Sequence, residues 1–218
     1  MCGIVGYTGR REAQPILLDG LARLEYRGYD SSGLATVNGK LSVRKAVGRI
    51  AQLRKVLAGQ PLEGTTGICH TRWATHGNVT EANAHPHLGG NGEVAVVHNG
   101  VIENYHELKR ELQDRGFKFR SQTDTEVIAH LIASHLQDDL VEAVRCAIAQ
   151  LKGTYGLAVV SARFPDMIVG ARLGSPLVVG IGEQEHFLAS DPSALVGFTK
   201  QVVYLDDHQV CVLTPDSW

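Results

Sequence analysis

From residue 153 to the C-terminus, the chain reads as short apolar runs at 157–161, 167–171, 177–181, 186–189, 202–205 and 210–213, separated by turn residues. No helical pattern intervenes. Parallel neighbours need a crossover of a dozen or more residues, whereas antiparallel ones can be joined by a tight turn, so this texture predicts antiparallel pairing.

The first half of the chain mixes both periods. Residues 3–7 predict a short apolar strand, and Ile16, Leu17, Leu21 and Leu24 recur at helical spacing over 13–26, with Gly28 as the expected stop. Residues 34–37 and 41–43 flank Asn38-Gly39, the strongest two-residue hairpin signal. A short helix over 50–57 and a strand over 64–72 follow. The polar stretch 73–92 is too long to be a plain connector, and is expected to be functional. Residues 93–98 predict a buried strand that breaks at Asn99-Gly100. Helices are expected over 103–115, 125–136 and 138–151, the second with Thr123 or Asp124 as its N-cap and Glu126 in its first turn. Strands at both ends with helices between them predict an α+β domain in which sheet packs on sheet and helices lie outside. Without repeats or a Pro/Gly/Ser linker, residues 1–218 are expected to be one domain. The chain stops at Trp218 soon after a strand, as expected of a domain belonging to a longer enzyme.

Composition narrows the chemistry. A hydrophobic content of 44% over 218 residues can build a buried core. The net charge of −2 comes from interspersed acids and bases, which disfavours nucleic acid and anionic membranes as partners and favours a small or neutral substrate. Neither a membrane span nor a signal peptide is evident, so a cytoplasmic location is expected. Cys2, Cys69, Cys146 and Cys211 form no CxxC pair, and are expected as reduced thiols. Cys146 and Cys211 have apolar neighbours and are expected in the core, and His130 and His135 fall in a predicted helix as structural residues.

Cys2 directly follows the initiator methionine, which methionine aminopeptidase removes ahead of a small side chain. One residue then carries two reactive groups. A thiol attacks as thiolate, with a free pKa near ~8.5, and an α-amino group titrating near ~8 can serve as its base. Four polar clusters sit at predicted element ends: Glu25 through Gly33, His70 through Gly77, His98-Asn99-Gly100 and Thr123-Asp124-Thr125-Glu126. Asn99 and the Gly100 N–H can supply donors for an oxyanion. Arg72 offers a planar fork for a substrate carboxylate, and Asp124 a partner for an ammonium. Individually, Asn-Gly reads as a turn and the charges as solvated or capping residues. His70, His76, His85, His87 and His98 raise a metal alternative, but their spacings match no standard zinc pattern. Gly89-Gly90-Asn91-Gly92 opens no helix after a strand, which disfavours a phosphate loop.

Taken in order behind Met1-Cys2-Gly3-Ile4-Val5-Gly6, these clusters resemble the glutaminase domain of the class II glutamine amidotransferases. Within that class, Glu25 through Ser31, His70 through Gly77, Asn83 through His87, His98 through Asn104 and Ser121 through Glu126 resemble the glutamine–fructose-6-phosphate aminotransferase family. The resemblance runs from residue 1 to about residue 215. It implies a four-layer αββα N-terminal-nucleophile hydrolase fold, mainly antiparallel, and hydrolysis of L-glutamine to glutamate and ammonia, with neither cofactor nor metal. It assigns Cys2 as nucleophile, Asn99 and Gly100 as oxyanion hole, Arg72 and Asp124 as holders of the glutamine α-carboxylate and α-amino group, Trp73, Thr75 and His76 as the closing loop, and Arg27 as a supporting residue. The family's complete enzyme is expected to be a homodimer and continues into two sugar-isomerase domains that use the ammonia; these are absent from this chain. Alternatives are the glutaminase half of another class II amidotransferase, such as asparagine synthetase or glutamate synthase, a non-catalytic glutamine-binding module, and a metal-dependent hydrolase built on the histidines.

Overall fold

In the computed structural model, residues 2–74 and 77–218 are described. In chain order the elements are β1 (Gly3–Thr8), α1 (Ala13–Arg23), β2 (Ser31–Val37), β3 (Leu41–Val47), α2 (Ile50–Gly59), β4 (Thr66–Arg72), β5 (His87–Gly89) and β6 (Val94–Ile102), then α3 (Tyr105–Asp114), α4 (Asp124–His135) and α5 (Leu140–Ile148). Six strands finish the chain: β7 (Gly153–Ser161), β8 (Phe164–Leu173), β9 (Val178–Ile181), β10 (His186–Ala189), β11 (Gln201–Tyr204) and β12 (Val210–Leu213). They form a seven-stranded sheet in the order β11-β9-β10-β1-β4-β2-β3, and a five-stranded sheet in the order β12-β8-β7-β6-β5. Every ladder between these strands is antiparallel, as the runs beyond residue 153 predicted.

The layering follows from strand alternation. In β6, Val94 and Val96 face the helices α3, α4 and α5, while Ala95 and Val97 face the other sheet; Leu157 and Val159 against Ala158 and Val160 repeat this in β7. In the larger sheet, Val5, Leu34 and Cys69 meet α1 and α2, whereas Ile4, Ala35 and Ile68 enter the layer between the sheets. Three apolar layers thus separate four layers of structure, α/β/β/α. At roughly 1.5–3 kcal/mol for each large side chain withdrawn from water, they are the main force holding the sheets face to face.

Four expectations are corrected. The first helix ends at Arg23 and is followed by a 3₁₀ turn, Glu25–Arg27; Gly28 is extended rather than left-handed, with φ −177°. The turn re-aims its side chains, so that Glu25 Oε1 accepts the Ile50 N–H at the start of α2 at 2.9 Å. The hairpin loop has three residues, because Val37 pairs with Leu41 and only Gly39 takes the left-handed conformation, at φ +64°. The strand over 93–98 does not break at Asn99-Gly100: β6 continues to Ile102, with Asn99 opposite Gly156 and Gly100 opposite Tyr155, because β7 supplies a partner along its whole length. Cys146 is half-buried rather than a core residue, and its thiol faces Glu142 across one helical turn.

The long polar stretch is partly ordered into the sheet. Its end forms β5 on β6, and a carbonyl of α4 comes so close that a β-carbon on Gly89 would lie 1.9 Å from the Ala129 oxygen. Residues Asp124 through Ile132 of α4 are consequently all buried, which brings the acidic start of that helix into the interior.

Candidate active site

Cys2 lies just ahead of β1, between β4 and β6 of the two sheets. Trp73, immediately after β4, donates its backbone N–H to Cys2 Sγ at 3.2 Å, and the Cys2 carbonyl accepts from Asn99 Nδ2 at 3.1 Å and from Arg27 Nε at 3.3 Å. The 3₁₀ turn aims Arg27 inward, where its guanidinium also pairs with Asp191 at 2.8 Å. Asp191 in turn accepts from Tyr26 Oη and the Ser193 N–H, which holds its carboxyl below the usual range against the opposing effect of burial.

Burial pushes the Cys2 thiol up, opposed in part by the Trp73 N–H and the Arg72 guanidinium. The resting sulfur is therefore protonated at neutral pH and needs a base to become a nucleophile. Cys69 is fully buried, with its thiol pushed well up, and donates to the Leu17 carbonyl at 3.4 Å, which suits a core residue.

Cys2, Arg72, Trp73, Gly100 and Asp124 line one cleft, together with His70, His85 and His98. Arg72 sits at the end of β4 with its Nη1 3.3 Å from the Asn78 carbonyl. Asp124 is the first residue of α4, where the helix dipole favours a negative charge. Its Oδ2 accepts the Ile102 N–H at 2.9 Å, tying the helix start to β6. Thr123 occupies the N-cap position but makes no capping bond, and its hydroxyl instead meets His87 Nε2 at 2.9 Å. Gly100 adopts φ +135°, and a β-carbon there would lie 2.1 Å from the Thr154 carbonyl oxygen. A similar approach explains Gly28: a β-carbon would fall 2.6 Å from the Arg72 carbonyl carbon, so only glycine lets the 28–30 backbone run beside Arg72 and Trp73. The sequence-predicted residues Cys2, Arg27, Arg72, Trp73, Asn99, Gly100 and Asp124 are thus gathered at one place, while Thr75 and His76 lie outside the described residues.

Several neighbours of the cleft fall in stretches that the sequence marked, but their roles there were not legible. Asp30 accepts the Ala74 N–H and the Ser31 hydroxyl, anchoring the segment that carries Trp73. Thr125 Oγ1 stands between His98 Nδ1, at 3.1 Å, and His85 Nε2, at 3.3 Å. His70, His85, His87 and His98 are all buried, and burial foremost lowers each imidazole, His70 to about 3, so that they are neutral. Among the described residues no group of three or more His, Cys, Asp or Glu is arranged to hold a metal ion. A larger cavity of about 800 Å³ beside His87 is lined by Lys45, Arg115, Lys118, Arg120 and Glu126, and contains no thiol. Of these two cavities, only the smaller cleft is lined by a thiol, that of Cys2.

This fold is that of the N-terminal-nucleophile hydrolases. Its overall arrangement matches that of a regulatory enzyme of purine biosynthesis, with a TM-score of 0.82 at 28% identity over 99% of this chain and 49% of the other. The glutamine phosphoribosylpyrophosphate amidotransferase of B. subtilis matches at 0.80 and 27%, with the same coverage. Residues 57–214 match the family model described as glutamine amidotransferase domain, and the chain belongs to that family. Over its full length it is 56% identical to the glutamine–fructose-6-phosphate aminotransferases (isomerizing) of Aquifex aeolicus and of Symbiobacterium thermophilum, spanning 37% and 36% of their lengths. Little more than a third of these relatives is thus represented. Among the described residues no helix is long and apolar enough to cross a membrane.

Proposed function

We propose that this domain hydrolyses the side-chain amide of L-glutamine through a Cys2 thioester. The observation that carries the reading is the convergence on Cys2 of an amide donor, Asn99, within a cleft that also holds one guanidinium, Arg72, and one carboxylate, Asp124. That set is complementary to a zwitterionic amino acid. Arg72 takes the α-carboxylate and Asp124 the α-ammonium, which directs the amide carbonyl to the sulfur.

Once Met1 has been removed, the α-amino group of Cys2 takes the thiol proton. The thiolate attacks the carbonyl carbon, and the oxyanion is met by Asn99 Nδ2 and the Gly100 N–H. The C–N bond then breaks, the nitrogen leaving as ammonia with the proton held by the amine, and water hydrolyses the γ-glutamyl thioester to glutamate and free thiol. Arg27 supports the nucleophile by holding its carbonyl, and Trp73, Thr75 and His76 close over bound glutamine.

In the longer protein, residues 1–218 form the glutaminase domain, and a sugar-isomerase domain on the same chain consumes the ammonia to convert fructose 6-phosphate to glucosamine 6-phosphate. The match to relatives of that name along this entire chain supports the assignment. The complete enzyme works as a cytoplasmic homodimer. Glutamate production by wild type and Cys2→Ala tests the hydrolytic reading: turnover is expected only in the wild type, and a Cys2→Ala variant that still turns over would refute it.

A further inference from the structure

The Asn99 carboxamide has two ends of similar shape and opposite chemistry, since only the nitrogen donates. A rotation about its last bond would turn an acceptor toward a developing oxyanion. Asn99 Nδ2 contacts the Cys2 carbonyl at 3.1 Å, and Oδ1 lies 3.0 Å from His70 Nε2. We infer that His70 is a positioning residue for glutamine hydrolysis, holding Asn99 with its N–H groups toward the nucleophile by donating from Nε2 to Oδ1. The inference rests on the proposed role of Asn99.

Three features make the arrangement single-valued. First, His70 is completely buried in the middle of the larger sheet, and its imidazole is neutral, so it carries one proton. With Oδ1 able only to accept, that proton belongs on Nε2. Nδ1 is left as a lone pair and has no hydrogen-bond partner among the described residues.

Second, the plane of the His70 ring is held by stacking on His85, with centroids 4.1 Å apart and planes at 19°. Third, His85 cannot turn. Its Nδ1 accepts the His98 N–H at 3.3 Å, which makes Nε2 the donor to Thr125 Oγ1. The Thr125 hydroxyl then donates to His98 Nδ1, leaving His98 Nε2 to donate to the Thr154 carbonyl at 3.3 Å. Every proton in that circuit is assigned, and each imidazole is neutral. Thr125 follows Asp124, and Asn99 follows His98, so the network that fixes His70 is built from the chain neighbours of two residues of the cleft region.

The test compares His70→Leu, which removes the donor, with His70→Gln, whose side-chain amide restores one near the Nε2 position. For His70→Leu, kcat for glutamine hydrolysis is expected to fall about 10- to 100-fold, a part of the ~10²–10³ attributed to a lost oxyanion donor, with KM changed less than about 3-fold. His70→Gln should recover most of kcat. Two further readouts separate positioning from damage. Alkylation of Cys2 by iodoacetamide forms no oxyanion and should be unchanged, whereas inhibition by the γ-aldehyde analogue of glutamine, whose thiohemiacetal does form one, should weaken in parallel with kcat.

Wild-type kcat in His70→Leu would overturn the inference alone, leaving the hydrolytic reading intact. Equal losses in both variants, with alkylation equally slowed, would also overturn it, by showing a purely structural role. Absence of wild-type glutamine turnover in chain lacking Met1 would remove the functional reading, and the inference with it.

Discussion

Gly100 lies against Thr154 of the neighbouring strand so closely that a single added carbon would sit 2.1 Å from the Thr154 carbonyl oxygen. Its φ of +135° is a conformation that L side chains rarely adopt. Gly100→Ala is therefore expected to lose roughly 1–3 kcal/mol of stability through strain and nearly all turnover, because the displaced backbone carries the N–H proposed as second oxyanion donor. Thermal melts with glutamate assays on the same preparation check this, and a fully active, fully stable variant would contradict it.

Asn99→Ala should reduce kcat by about 10²–10³ with a small change in KM, the usual cost of one lost oxyanion donor. Steady-state kinetics with glutamine decides the matter. A loss appearing in KM alone would place Asn99 in ground-state binding instead.

Asp124 holds both a backbone N–H and, as proposed, the substrate ammonium. Asp124→Asn keeps an oxygen for the Ile102 N–H but removes the charge, so KM should rise at least 10-fold with little change in melting temperature. Asp124→Ala would in addition strand the buried Ile102 donor, costing about 1–3 kcal/mol. Similar melting temperatures for the two variants would show that the Asp124–Ile102 bond is energetically idle.

Acid should destabilise the fold well before ordinary carboxylates titrate. His70, His85, His87 and His98 are neutral in the folded chain, with His70 held at about 3 against an ordinary value of 6.5. Below pH 6.5 the unfolded chain binds protons that the folded chain refuses, so stability falls as pH falls. Each such histidine contributes a slope approaching about 1.4 kcal/mol per pH unit. Glu126 acts in the same direction at lower pH. Hydrogen bonds from the Ser121 hydroxyl and the Arg120 and Ser121 N–H groups, with the His130 imidazole 3.8 Å away, outweigh the effect of burial and hold it at about 2 against 4.5, so its stabilisation is lost as pH drops from 4.5 toward 2. Denaturant titrations at pH 7.5, 6 and 5 should show a steep decline, and a flat profile would contradict the neutral cluster.

Retention of Met1 should silence the chain, since the amine proposed as base would then belong to another residue. Mass spectrometry paired with activity checks this: an active preparation consisting of intact Met1 chain would rule the mechanism out.

Much of the site was legible because its chemistry depends on residue types that stand out against apolar surroundings. A cysteine after Met1, an arginine at a strand end and an acid at a helix start are visible in one dimension. The supporting shell was not. His70 reads as one of several histidines near a strand end, and its partner Asn99 is 29 residues away. Asp191, 164 residues from the Arg27 it pairs with, lies in an ordinary turn sequence. Thr125 looks like a first-turn helix residue, and only its burial beneath β6 makes its hydroxyl a bridge between two imidazoles.

The Asn99-Gly100 pair marks the boundary between the two kinds of information. Local sequence alone determined the alternation that sorts Val94, Ala95, Val96 and Val97 onto two faces, and hence the layered α+β architecture, because side-chain direction in a strand follows from backbone geometry. It also marked Cys2, Asn99, Arg72 and Asp124, which the fold brings together. Whether Asn-Gly ends a strand or continues one depends on a partner strand more than fifty residues later, which supplies the ladder bonds. Which way a carboxamide faces, and which nitrogen of an imidazole carries the proton, was decided only by tertiary packing. Those choices are set by the nearest buried donors and acceptors, and these are neighbours in space rather than along the chain.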